Sequence, residues 1–349
     1  VMPAANGEVP KNLQTAIAIH EGLRAYGISY LLSPNRPFAQ AVVDTAAVDS
    51  LKFPRQTLGF RAGDCADLSV LYASCFEAAG IQTAFVTVPG HILVAADLGI
   101  TESEAMARGM NPKDIIARDG MVWLPIETTL RNGGFTEAWR KGAEQWRKAA
   151  EADAARLYPV HEAWETYPPV GLPADGSSVR LPAPADVLKG FTAELAVVVT
   201  RELSARLELL GPPGTGPSSA KVRNGRGVLY AKYGFYAEAV DNFREAARAG
   251  SSSALVNLGN LLMLQSDPAG AYAYYVKAAA QLPRNPKLQA NLAQAAAACG
   301  KKTEAEAALR ELRALDPELA DRYAYVAGAG DPSSSGQRAA AAGTAVIWF

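Results

Sequence analysis

Cysteine and histidine are both scarce, with three of each in 349 residues. The cysteines are odd in number and irregularly spaced, so they specify no disulfide framework, and a chain of this length needs none. Cys65, Cys75 and Cys299 also lack the paired short spacings of a structural zinc site. Excess charge is missing too: 34 Lys+Arg face 35 Asp+Glu, which leaves no global field for nucleic acid or an anionic membrane. No apolar run approaches the ~20 residues of a bilayer span. The opening residues hold no basic segment ahead of an apolar core, so no signal peptide is expected. A start at Val1 rather than Met suggests a trimmed or mature fragment of a soluble protein. The compartment stays open, and a periplasmic or exported place within a longer precursor is compatible. Neither a Gly-rich phosphate loop followed by Lys nor a ribbon of aromatic and basic residues occurs, so no nucleotide, metal, other cofactor or nucleic-acid partner is expected.

What is present belongs to a globular protein, 49% apolar and 20% charged. The length favours two domains. A Gly/Pro-rich run at 211–217 cannot sustain a helix and reads as a linker over 211–218. Beyond it the chain is Ala-rich with helical periodicity. Gly227, Gly259 and Ala293 recur at steps of 32 and 34 residues, as do Ala239, Ala271 and Ala305. Tyr230, Leu262 and Ala296 follow the first set; Phe243, Tyr275 and Leu309 follow the second, with Ala246, Ala278 and Leu312 after them. Pro283 and Pro317 close the second and third units. This register resembles the tetratricopeptide repeat, in which small residues sit where two helices cross closely and aromatic residues where the next helix packs. The resemblance implies an all-α solenoid over 219–327. Residues 320–327 read as a capping helix, 331–336 as a flexible stretch, and the apolar run 344–349 as a docking strand or the start of another segment.

The first half alternates helix-like and strand-like segments. Residues 12–26 form an amphipathic stripe with His20 on it, read as a packed core histidine. The informative block follows Gly63: Asp64 reads as an N-cap with Asp67 at the third helical position, which starts a helix at Cys65. In that first turn, free N–H groups and the helix dipole stabilise a thiolate and lower its pKa. Cys75 shares a face with Leu68 and Leu71 and reads as a small buried hydrophobe; Cys299 reads as helix packing. Strands are predicted at Thr83–Val88, at 92–96 with His91 opening the strand after the Pro89-Gly90 break, and at Met121–Ile126, which Glu127 follows. A Cys at a helix start, a His opening a strand and a carboxylate ending another is the order needed for a thiolate–imidazolium pair with an orienting acid. Gln56 is a polar candidate for a second oxyanion donor. His161 reads as a loop residue, and Trp139, Trp146 and Trp164 as packing that fastens 136–210 onto the domain.

The residues 63–68 around Cys65, the helix end at Gly80 and Ile81, His91, and the run 123–129 through Glu127 together resemble the transglutaminase-like superfamily, related to papain-type cysteine peptidases. Leu93 stands where that family often has an aromatic residue, and Glu127 where it most often has Asp. The resemblance covers approximately 12–140 and implies an α+β domain, completed by a helical C-terminal extension to span 1–210, in which Cys65 attacks an acyl carbon, His91 shares and then donates a proton, and Glu127 orients His91. The backbone N–H of Cys65 would meet the oxyanion. The function expected is acyl transfer on a peptide or carboxamide bond, by protease, amidase or transglutaminase chemistry, on a protein or peptide substrate. The repeats would recruit a protein partner, and their 14 Lys+Arg against 10 Asp+Glu over 220–327 suggest acidic ligands. The alternative is an inactive domain that serves with the repeats as an interaction scaffold.

Overall fold

The computed structural model describes residues 8–31, 51–130, 133–171, 179–214, 217–326 and 348–349. The chain divides into two compact units, 1–206 and 207–349. The expected flexible stretch at 331–336 lies outside the described residues, as does most of the 344–349 run.

In the first unit, helix α1 (Lys11–Tyr26) buries the predicted stripe of Leu13, Ala16, Ile17, His20 and Leu23. Strands β1 (Ser29–Tyr30) and β2 (Ala62–Gly63) pair in parallel, with helix α2 (Pro54–Phe60) just ahead of β2. Helix α3 (Cys65–Ala78) follows, then β3 (Thr83–Val88), β4 (His91–Thr101), α4 (Glu102–Ala107), β5 (Ile116–Arg118), β6 (Met121–Ile126), α5 (Phe135–Glu151), β7 (Arg156–Pro159), α6 (Val160–Thr166) and α7 (Pro184–Leu210). Five strands form one sheet in the order β5-β6-β4-β3-β7, each antiparallel to its neighbour.

The central strand β4 explains why its sequence reads as a continuous apolar run. Leu93, Val94, Ala95 and Ala96 are all fully buried, so both faces of the strand are covered. Leu93 and Ala95 join Ala84, Val86, Ile116 and Trp123 in one cluster against Trp146 of α5. Close approach of α5 depends on Gly142, where an added Cβ would lie 2.6 Å from the Pro125 carbonyl oxygen. α1 and α3 also pack against β4. The strand runs past the predicted end at 96 because pairing with β6 resumes at Thr101 after a register shift beyond Asp97.

The second unit contains α8 (Pro217–Lys232), α9 (Tyr236–Arg248), α10 (Ser252–Leu264), α11 (Pro268–Ala279), α12 (Pro286–Ala298), α13 (Lys302–Leu315) and α14 (Pro317–Arg322). They pack as the pairs α8/α9, α10/α11 and α12/α13. The repeat register has a steric cause. A Cβ on Gly227 would stand 2.5 Å from the Phe243 ring, and one on Gly259 would stand 2.5 Å from the Tyr275 ring. In the third pair Leu309 and Ala293 stand at the ring and glycine positions, and both are buried in one cluster. Side chains of Ser251, Asp267, Asn285 and Asp316 cap the helices that follow them. Pro317 therefore opens a helix at its first position rather than only closing the third unit. The capping element begins earlier than predicted, at 317, and ends in a 3₁₀ turn at Ala324–Val326, because the Asp316–Pro317 start signal lies upstream of 320.

Two glycines of α8 separate packing from propensity. Gly227→Ala is expected to destabilise the second unit by about 1–3 kcal/mol through overpacking. Gly225→Ala meets only Leu210 at an ordinary 3.5 Å, so removing a helical glycine should stabilise by up to ~1 kcal/mol. Urea denaturation of the two variants checks the opposite signs.

Candidate active site

The candidate site begins with a helix start. Asp64 has extended backbone and its carboxylate accepts the N–H groups of Ala66 and Asp67, each at 3.0 Å. Asp67 answers by accepting the Asp64 N–H at 3.1 Å, the reciprocal capping arrangement predicted from the sequence. The Asp67 carboxylate is fully buried, and Lys52 compensates it twice, through its backbone N–H at 2.7 Å and its ammonium at 2.6 Å. Gly63 makes this packing possible, since a Cβ there would sit 2.6 Å from the Asp67 Cβ. Cys65 thus occupies the first position of a helix held by an ion pair between the buried Asp67 and the partly exposed Lys52.

His91 opens β4 directly after the turn at Gly90, which takes the left-handed backbone favoured by glycine. Pairing of Val94 with Ile126 sets β4 against β6, and Glu127 follows β6 immediately. His91 Nε2 lies 2.8 Å from Glu127 Oε2. The other carboxylate oxygen, Oε1, accepts the backbone N–H of Thr129 at 2.8 Å and its hydroxyl at 2.7 Å. Cys65 at the start of α3 is close enough to act on the same imidazole and contributes to raising its pKa. The three residues singled out by sequence, Cys65, His91 and Glu127, are therefore brought together. The His91 side chain keeps 21% exposure while that of Glu127 keeps 4%, so the imidazole borders solvent and the acid lies behind it.

Burial opposes charge on both partners, and the pair overrides it. Desolvation pulls the His91 pKa down, but hydrogen bonds to Cys65 and Glu127 and their charges raise it to about 9. Desolvation pulls Glu127 up, but the hydrogen bond and charge of His91, with the two Thr129 donors, lower it to about 2. The extra methylene of Glu relative to Asp is accommodated by this double anchoring at Thr129.

Sequence reading missed two supports. Ser69, one turn after Cys65 and fully buried, donates to the Ile92 carbonyl at 3.3 Å and lies 3.3 Å from the Thr128 hydroxyl. It ties the Cys65 helix to the residue after His91 and to the residue after Glu127. Thr129 is the second. Both are short hydroxyl residues at ordinary helix and turn positions, and no pattern in the sequence distinguishes them.

Other candidates fall elsewhere. Gln56 is exposed and its side chain accepts the Phe53 N–H at 2.9 Å, closing the start of α2. His20 is buried, with Nδ1 3.0 Å from the Tyr72 hydroxyl and Nε2 near the Gly133 carbonyl, and burial lowers its pKa. His161 belongs to the short helix α6 rather than a loop: it pairs with Glu77 at 2.7 Å and stacks on Trp164. The Pro159 start signal makes the difference, because proline suits the entry to a helix. Cys75 lines an apolar cleft with Tyr26, Leu58 and Phe191, and burial pushes its thiol up. Cys299 caps the end of α12. No group of three metal-binding side chains occurs among the described residues.

Replacing Glu127 tests the electrostatics. In wild-type protein His91 should titrate near 9, and Glu127→Gln should bring it down toward the ordinary 6.5. Because the folded value of His91 is raised, its stabilising contribution is complete below 6.5 and lost as the pH rises through about 9. The depressed Glu127 contributes above 4.5 and loses that contribution as pH falls through about 2. Imidazole NMR titration of both proteins checks the shift. A His91 resonance that titrates alike in the two contradicts it.

Comparison with known proteins bears on the second unit. No curated protein matches the chain. No helix among the described residues is long and apolar enough to cross a membrane. The tetratricopeptide-repeat family matches residues 262–328, which makes this part of the chain a repeat module of a kind that supports protein–protein interaction.

Proposed function

We propose that the first unit is a transglutaminase-like domain that transfers acyl groups through Cys65, and that the repeats recruit its protein substrate or partner. The observation that carries the reading is the His91–Glu127 pair bordering solvent, with Cys65 at a capped helix start acting on the same imidazole.

The chemistry follows from these groups. The Cys65 sulfur attacks a carboxamide or peptide carbonyl carbon as His91 holds the thiol proton. The carbonyl electron pair moves onto oxygen, and the Cys65 N–H is the first-turn donor left for it once Asp64 has taken those of Ala66 and Asp67. Collapse breaks the C–N bond, His91 gives its proton to the departing amine, and a thioester remains. A second nucleophile then resolves it: neutral His91 removes a proton from water or from an amine, and the thioester opens to acid or to a new amide with return of the thiol. Glu127 holds the ring in place and stabilises its charged form. Water and amine outcomes correspond to peptidase and cross-linking activities.

Alkylation by iodoacetamide is expected to modify Cys65 ahead of Cys75 and Cys299, and His91→Ala should slow it at least tenfold. Casein hydrolysis and monodansylcadaverine incorporation into casein separate the two resolving nucleophiles. His91→Ala should lower whichever rate is present by about 10²–10⁴, the usual worth of a general acid–base. Equal alkylation of wild type and His91→Ala would count against the reading.

A further inference from the structure

Helices α8, α10 and α12, the first members of the three pairs, carry buried side-chain amides at steps of 33 and 34 residues: Asn224, Asn257 and Asn291, with Asn260 three residues past Asn257. The helix pairs close on glycine, alanine and rings, and of the amides only Asn260 touches a closing ring, that of Tyr275. They bond to one another in one direction instead. Asn291 Nδ2 donates to Asn260 Oδ1 at 2.9 Å, Asn260 Nδ2 to Asn257 Oδ1 at 3.4 Å, and Asn257 Nδ2 to Asn224 Oδ1 at 2.9 Å. Tyr275 adds its hydroxyl to Asn260 Oδ1 at 2.8 Å. The series ends outside the helices: Asn224 Nδ2 donates to the main-chain oxygen of Phe349 at 2.6 Å.

Asn257 grips the same residue from both sides. Its Oδ1 accepts the Phe349 N–H at 2.9 Å, and its Nδ2 donates to the Phe349 oxygen at 2.8 Å. One side-chain amide thus meets the donor and the acceptor of one residue's main chain, as a neighbouring strand would. This grip is indifferent to the side chain it holds. Selectivity comes from the flanks, where Trp348 lies nearly parallel to the Phe243 ring, 6.2 Å between centroids and 19° apart, and Phe349 packs on the cluster containing Tyr275, Leu288 and Leu292. Phe243 is the same ring that Gly227 admits between α8 and α9.

We propose that the Asn224–Asn257 face is a binding site for a peptide segment read through its main chain and carrying two adjacent large aromatic side chains, and that Trp348 and Phe349 of the chain itself occupy it. An external peptide of this chemistry then binds only by displacing them. The proposal rests on the repeats being a protein-binding module and is independent of the Cys65 chemistry. Two physical points make self-occupation effective. Asn257 is fully buried and makes two of its four bonds to Phe349, so vacating the site leaves buried polar atoms unpaired unless water or another peptide replaces them. A tethered occupant also acts at an effective concentration of order mM, so modest affinity suffices to hold it.

The test uses the full chain labelled with 5-fluorotryptophan, which reports Trp348 among five tryptophans, its signal assigned by Trp348→Phe. A fluorescein-labelled peptide with the sequence of residues 344–349 is titrated by anisotropy into wild type and into the Trp348→Ala/Phe349→Ala variant. The expected result is a buried-type ¹⁹F shift in wild type that moves to the solvent position when unlabelled peptide saturates the site. Binding should be at least tenfold tighter to the double variant, and lost again when Asn257→Ala is added with the circular dichroism melt retained. A solvent-type Trp348 signal with equal peptide binding to wild type and double variant overturns self-occupation while leaving the repeats as a protein-binding module. Absence of peptide binding to every variant overturns the proposed ligand class as well.

Discussion

The pairing of β4 with β6 is the constraint on which the candidate site depends. Val94 opposite Ile126 places the residue that opens one strand beside the residue that follows the other. A slip of one residue would turn each side chain to the opposite face and separate His91 from Glu127. Both strands are covered on both faces, by Leu93 and Val94 in β4 and Trp123 and Leu124 in β6, so the slip is resisted by the fit of each side chain to its own place in a close-packed interior. Hydrophobic burial, which knows nothing of chemistry, thereby sets the geometry of a charged pair. The residual freedom, the angle of the carboxylate, is removed by the two Thr129 donors.

Helix α3 supplies the third group by a different route. Its start is fixed by local hydrogen bonds between Asp64 and Asp67, and its depth by the Lys52–Asp67 ion pair in a place where Gly63 keeps the backbone close. Removing Lys52 would leave the fully buried Asp67 carboxylate uncompensated, which is the costly event. Ser69 then connects this helix to both strands near their site ends. The proposed nucleophile is held by elements that each have another structural reason to be where they are.

Much of this was legible in the sequence, for reasons that differ by element. The Cys65 helix start was readable because capping is local: glycine, Asp64 and Asp67 specify it within a few residues. The strands at 83–88 and 121–126 were readable from β-branched and aromatic composition, and the repeats from a register that recurs because rings need small partners. His161 was misread because the helix it joins is barely two turns long and its start signal is a proline. Ser69 and Thr129 could not be singled out, since their roles arise from contacts between residues 23 to 59 apart in one case and from a turn backbone in the other. The asparagines were recoverable in principle: the steps that align Gly227 with Gly259 nearly align Asn224 with Asn257. A polar residue repeated at core spacing is a signal of its own, because burying an amide has a cost that hydrophobic packing does not explain.

The proposed chemistry turns on Cys65 being a nucleophile activated by His91. Intact-mass and peptide mapping after exposure of the full chain to a peptidyl vinyl sulfone tests this, since the reagent forms a stable thioether fastest with an activated thiol. A single adduct on Cys65 is expected in wild type, strongly reduced in His91→Ala and absent in Cys65→Ser. An adduct spread over Cys75 and Cys299, or equal labelling of Cys65 with and without His91, would contradict it.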